Sequence, residues 1–284
     1  MVPSKVDMLA IIGPTASGKS DLAIGIAKKY NGEIITADSR TVYKYMDIGT
    51  AKPTKLDQEA VKHWGLNLVG PGEKFTVADF QNFVKRAKED INKRGKLPII
   101  VGGSGLYVDA VLYDFGFAKP NRSLRERYKE YGAEDLQKKL KRKHIPFPEN
   151  KQNKRYLLNA LERNGNRPVK GGLAKNTYII GLNPPKDVLE SRIAKRIDEM
   201  IKNGLVSEIE SVINMYGKES EQMKSGVYRV FINHNNDFRS KAIISDLQLA
   251  RKQMTWFKRN KDITWFEDKY LAETWIDNLF GGKL

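Results

Sequence analysis

The residues Gly13-Pro-Thr-Ala-Ser-Gly-Lys-Ser20 match the pattern G-x-x-x-x-G-K-[ST]. Glycine lets such a loop curl until its backbone N–H groups point at phosphate oxygens. Gly13, Pro14, Thr15, Ala16, Ser17, Gly18, Lys19 and Ser20 are therefore the expected diphosphate-binding set. Lys19 adds a point charge, and the Ser20 hydroxyl is a ligand for Mg²⁺, the expected cofactor. The pattern announces a di- or triphosphate and leaves the reaction open. Asp38 is the second candidate: a carboxylate there ligands Mg²⁺, acts as a general base or caps a turn. Gly102-Gly-Ser-Gly-Leu-Tyr107 either brings backbone close to a ligand or makes a structural turn. His63, His144 and His234 lack ligand spacing and read as ordinary core or surface histidines. The chain has no cysteine, which excludes thiolate nucleophiles, disulfides and cysteine-ligated metals.

These residues need a frame. Met8–Ile12 is a continuous apolar run, as in a strand buried on both faces, and it feeds the phosphate loop. A helix follows, with Leu22, Ile26 and Tyr30 on a similar face, and its positive end favours an anion. Residues 33–38 read as a second strand ending at Asp38. Phe80, Phe83, Val84, Ala87 and Ile91 mark an amphipathic helix between Val77 and Arg94. Residues 98–101, 177–182 and 263–266 read as further strands. The alternation predicts an α/β fold: a parallel sheet flanked by helices, like the P-loop nucleoside triphosphate hydrolases, with its ligand at the carboxyl ends of the strands. Residues 114–175 lack strand signals and are rich in Lys, Arg, Leu and Glu. The predicted organisation is a catalytic core of residues 1–113 and 176–284, carrying a basic helical insertion at 114–175.

The charge supports an insertion with its own task. The 284 residues carry a net +16, and +8 of it falls within residues 119–155. A solvated helix tolerates such a run, but its confinement points to a polyanion, either nucleic acid or an anionic membrane. No segment approaches ~18 consecutive apolar residues, so no membrane span is expected. The N-terminus runs from Met1 into the first strand without a signal peptide, and a cytoplasmic protein is expected. Trp256, Phe257 and Trp265 are expected in the core rather than stacked on bases.

In this order the blocks resemble the tRNA dimethylallyltransferases, also called tRNA isopentenyltransferases. The resemblance is carried by the phosphate loop, Asp38-Ser39, Val42-Tyr43, Met46-Asp-Ile-Gly-Thr-Ala-Lys-Pro53 and Gly102-Gly-Ser-Gly-Leu-Tyr107. It continues through Asn159-Ala-Leu-Glu162, Arg192-Ile-Ala-Lys-Arg-Ile-Asp-Glu-Met200, Gly204-Leu205 with Glu208, and Ala250-Arg-Lys-Gln-Met-Thr-Trp-Phe257. It covers nearly the whole chain. It implies transfer of the dimethylallyl group of dimethylallyl diphosphate to N6 of the adenosine just 3′ of the anticodon, with release of diphosphate. It further implies that the loop holds the prenyl diphosphate, that Asp38 is the base, and that Thr15 and Arg196 are catalytic. Arg192 lies one helical turn before Arg196, on the same face. The implied tRNA contacts are Asp38, Ser39, Arg40, Thr41, Ser104 and Arg155. The insertion resembles the family's helical domain that grips the anticodon stem–loop, with tRNA and donor entering a channel from opposite ends. A monomer is expected.

The sequence departs from the family pattern on the RNA side. Thr41 stands where Gln is usual, Ser104 where Thr is usual, and Tyr156, Asn159 and Leu247 where Arg is usual. Three alternatives share the phosphate loop: a small-molecule or nucleotide kinase, an adenylate prenyltransferase, and an RNA-binding protein without catalysis. The kinase does not account for the basic insertion or the block from Asp47 to Pro53. The non-catalytic protein leaves Asp38 without a task.

Overall fold

The computed structural model describes residues 6–70, 72–117, 121–165 and 170–281; the extreme N-terminus and the start of the basic stretch at 119–120 lie outside them. Among the described residues there are six strands, β1 Met8–Ile12, β2 Gly32–Thr36, β3 His63–Trp64, β4 Leu97–Gly102, β5 Thr177–Leu182 and β6 Ile263–Phe266. The helices are α1 Lys19–Lys29, α2 Lys55–Ala60, α3 Val77–Lys93, α4 Gly105–Leu112, α5 Arg122–Arg127 and α6 Ala133–Arg142. They continue with α7 Lys154–Glu162, α8 Lys186–Lys202, α9 Leu205–Tyr216, α10 Gly226–Asn233, α11 Phe238–Phe257 and α12 Lys269–Leu279.

The strands form one parallel sheet in the order β3-β2-β4-β1-β5-β6. Every residue of β1 and β4 is buried, which is why both are apolar without alternation. The chain leaves β1 toward β2, whereas from β4 it passes over β1 to reach β5. That reversal opens a crevice at the carboxyl end of β1, where the phosphate loop lies. α3 starts on a capping box in which Thr76 and Asp79 bond each other's backbone N–H groups. It buries Phe80, Val84, Ala87 and Ile91.

Two expectations need correction. The second strand stops at Thr36, so Asp38 stands two residues beyond it, in a turn rather than on the strand's last residue. The two-residue β3 was not foreseen, because two residues show no periodicity.

The chain divides into two compact units, residues 1–112 with 173–284, and residues 113–172. The second unit packs α5, α6 and α7 around Tyr128, Leu136, Leu140, Leu157 and Leu161. Arg125 forks onto Glu162 at 2.6 Å through both Nε and Nη2, and Nη2 also donates to Asn159 Oδ1 at 2.8 Å. Lys141, Arg142 and Lys143 are exposed and have no ion-pair partner among the described residues.

Candidate active site

The phosphate loop is shaped by a few close approaches. Gly13 has φ +154°, and a Cβ there would lie 2.5 Å from the Leu182 carbonyl oxygen. Gly18, at φ +90°, precedes α1 and offers no capping side chain, which leaves the first-turn N–H groups of that helix to an anion. The Pro14 carbonyl accepts from Lys19 Nζ at 3.0 Å and from the Ser17 N–H at 3.3 Å. The Thr15 N–H donates to Gln253 Oε1 at 2.8 Å. Arg192 Nη1 donates to the Ser17 carbonyl at 3.2 Å, so this arginine closes the loop from α8. Ser17 Oγ is buried without a partner, as is Thr36 Oγ1.

Beside the loop opens a cavity of about 560 Å³. Residues 15–20, Asp38, Thr41, Arg192 and Arg196 all line it. Arg196 is held by an ion pair between its Nη2 and Oδ2 of the buried Asp246 on α11. Its Nε is buried and has no partner. Burial, and after it the positive charge of Arg196, lower the pKa of Lys19 from 10.5 to about 8, with Asp38 partly opposing both. An incoming anion would therefore meet a concentrated but incompletely neutralised positive wall.

Asp38 is both a turn residue and a cavity residue. Its Oδ1 accepts from the Arg40 N–H at 2.7 Å, while Oδ2 has no hydrogen-bond partner among the described residues. Thr41 Oγ1 donates to the Asp38 carbonyl at 3.4 Å. The Ser39 N–H donates to Ser104 Oγ at 3.1 Å, which ties the Asp38 turn to the loop after β4. Gly102 allows that approach, since a Cβ there would lie 2.1 Å from the Ala37 carbonyl oxygen. Ser20 and Asp38, both with hard oxygen donors, line one cavity, and no cluster of three or more metal-ligating side chains occurs among the described residues. This donor set fits Mg²⁺, which keeps water ligands and takes one or two protein oxygens beside a phosphate.

The block from Met46 to Pro53 supplies Thr50, Ala51 and Pro53 to the same cavity. Its backbone is pinned by Glu208, whose carboxylate accepts from the N–H groups of Asp47, Ile48 and Gly49 at 2.7, 2.7 and 2.9 Å, and from Tyr228 Oη at 2.7 Å. Lys52 is buried and donates to the Tyr43 carbonyl, Asp47 and Asn67. Burial depresses its pKa, and Asp47 pulls it back.

The structure thus brings residues 15–20, Asp38, Thr41 and Arg196 to one cavity, with Gly13 and Pro14 at the start of the loop and Ser39, Arg40 and Ser104 in the adjoining turns. Arg155 lies in the second unit, on the first turn of α7, where its N–H donates to Asn153 Oδ1 at 3.0 Å. Three placements were not anticipated. Trp256 is not core: it is 37% exposed, its indole N–H donates to Asp109 at 2.9 Å, and its ring covers the side-chain-free surface of Gly105. Phe257 is core as expected, at 1% exposed, but Trp265 is only half-buried, over Gly181. His63 lines the cavity; Nδ1 faces the Val61 carbonyl at 2.8 Å and therefore carries the proton. Asp246 and Gln253 escaped assignment altogether. Their spacing of seven on one helix was the available signal, because it puts both on one face.

Comparison with known proteins finds relatives over most of the chain. A sequence model of the IPP transferase family matches residues 41–260. A tRNA dimethylallyltransferase of Thermoanaerobacter sp. (strain X514) is 38% identical over 288 residues, covering 92% of this chain and 91% of that one. One from Oceanobacillus iheyensis is 38% identical over 291 residues, covering 93% and 91%. Among solved structures, a tRNA isopentenylpyrophosphate transferase of Bacillus halodurans superposes with a TM-score of 0.73 at 31% identity, covering 98% of this chain and 96% of that one.

Proposed function

The chain belongs to the IPP transferase family, and we propose that it transfers the dimethylallyl group of dimethylallyl diphosphate to N6 of the adenosine that follows the anticodon in tRNA, releasing diphosphate. The observation that carries this reading is a single cavity in which the phosphate loop and Arg196 meet a carboxylate with one unengaged oxygen, Asp38 Oδ2. In the reaction the bond between the allylic carbon and the diphosphate oxygen breaks, a C–N bond forms, and one amine proton leaves. Negative charge grows on the diphosphate. Lys19, the loop N–H groups and Arg196 stabilise it where it develops. Ser20 would help to hold Mg²⁺, which would supply further positive charge to the leaving group.

The exocyclic amine is a weak nucleophile because its lone pair is delocalised into the ring. Asp38 Oδ2 orients it and takes its proton. Thr15 borders the same reacting region. The adenine reaches the cavity by leaving the anticodon-loop stack, at a cost of a few kcal/mol. The basic second unit, Arg155 included, holds the anticodon stem–loop through its phosphates. Ser39, Arg40, Thr41 and Ser104 shape the acceptor side. The enzyme works as a monomer in the cytoplasm, where its tRNA substrate is found. Mass analysis of nucleosides from tRNA incubated with the protein, dimethylallyl diphosphate and Mg²⁺ tests the reading. The expected product is adenosine carrying one dimethylallyl group. Unmodified tRNA, together with saturable phosphoryl transfer from ATP to a small acceptor, would contradict it.

A further inference from the structure

The phosphate loop is held from behind by a side chain that does not line the cavity. Gln253 Oε1 accepts from the Thr15 N–H at 2.8 Å. The same peptide unit presents the Pro14 carbonyl, which accepts from Lys19 Nζ at 3.0 Å and the Ser17 N–H at 3.3 Å. One peptide plane is therefore fixed at both ends, and turning it would move the oxygen on which Lys19 rests. The next residue, Ala16, has φ +61°, a left-handed conformation that side chains disfavour and that needs outside support. Gln253 reaches the loop because Gly103 has no side chain: a Cβ there would lie 2.4 Å from Gln253 Nε2. Two turns earlier on the same helix, Asp246 holds Arg196.

We propose that Gln253 is a positioning residue for the diphosphate site. It sets the Pro14–Thr15 peptide so that Thr15 and the loop amides keep their places when Lys19 leaves the Pro14 carbonyl for a phosphate oxygen. The inference rests on reading the cavity as a diphosphate site, and the test separates the two. Gln253→Met keeps the length of the side chain without the acceptor; Gln253→Glu keeps an acceptor. Three quantities are measured: hydrogen exchange of the Thr15 amide in the ligand-free protein, affinity for inorganic diphosphate with Mg²⁺, and KM for the donor and for tRNA.

In Gln253→Met the Thr15 amide loses protection, diphosphate binds about tenfold more weakly and the donor KM rises by a similar factor, while the tRNA KM stays. Gln253→Glu restores the protection. Gly103→Ala displaces the same amide group and reproduces Gln253→Met, and the double variant adds nothing to either. Unchanged exchange and diphosphate affinity in Gln253→Met would overturn the proposal. So would a fall in thermal midpoint with both KM values rising together, which marks a merely structural residue. If the unaltered protein does not bind diphosphate, the reading of the cavity fails, and the exchange comparison still decides whether Gln253 holds the loop.

Discussion

The proposed role divides the Asp38 carboxylate between two tasks, and the division makes that role testable. Oδ1 caps the Arg40 N–H, a task that asparagine performs equally well. Oδ2 is the proposed proton acceptor, a task that an amide cannot perform. Asp38→Asn is expected to bind dimethylallyl diphosphate and tRNA normally and to lose ~10²–10⁴ in single-turnover rate. A near-normal rate would leave Asp38 as a turn cap only. Lys19 gives a pH signature. Its pKa falls from an ordinary 10.5 to about 8, so its charge is present below that value and lost as pH rises through it. Diphosphate affinity and donor kcat/KM are therefore expected to fall as pH rises through about 8. A flat profile there would show that Lys19 stays protonated or does not meet the anion. The phosphate loop and Asp38 were legible in the sequence because contiguous residues carry their chemistry. Gln253 and Asp246 were not, because their partners lie 238 and 50 residues away and only folding joins them.

The elements that carry the site were legible in proportion to their burial. β1, β4 and β5 are buried on nearly every residue and stand out as apolar runs. β2 misleads at its end, because the polar turn beyond Thr36 follows an apolar alanine. Its one charge, Glu33, is 1% exposed and ties three segments together. It is bonded by Arg94 through Nη1 and Nη2, by Trp64 Nε1 at 2.8 Å and by Lys96 at 2.9 Å. Burial alone would raise its pKa, but the bonds from Arg94, Trp64 and Lys96 outweigh it and lower the value from 4.5 to about 2. The stability that Glu33 contributes is therefore present above 4.5 and lost as pH falls toward about 2. Glu33→Ala is expected to lower stability at neutral pH, since it leaves the N–H of half-buried Trp64 without its acceptor and takes from Arg94 and Lys96 the carboxylate they share, although Arg94 keeps Asp90. Denaturation of both proteins across the acid range checks this: the gap should close as pH falls, and a constant gap would assign the loss to packing alone. Gly102 is the other sensitive point. Gly102→Ala drives a methyl group into the Ala37 backbone beside the Asp38 turn, so transfer should fail while tRNA binding persists.

For the whole molecule the division of labour follows from charge. Half of the net +16 falls in residues 119–155, and α6 exposes Lys138, Lys141 and Arg142 over an apolar core. With on the order of six phosphate contacts, tRNA affinity should fall by roughly 10³ between about 50 and 200 mM salt. Neutralising Lys138, Lys139, Lys141, Arg142 and Lys143 together should weaken tRNA binding and flatten that slope; an unchanged slope would remove α6 from the RNA surface. The central claim joins a prenyl donor in the first unit to a tRNA acceptor gripped by the second. The most direct test offers the protein dimethylallyl diphosphate and Mg²⁺ with tRNA and free adenosine monophosphate in competition, and locates the transferred group by mass. The account predicts transfer to the tRNA adenosine beside the anticodon and none to the free nucleotide. Equal transfer to both acceptors, or to the nucleotide alone, would contradict it.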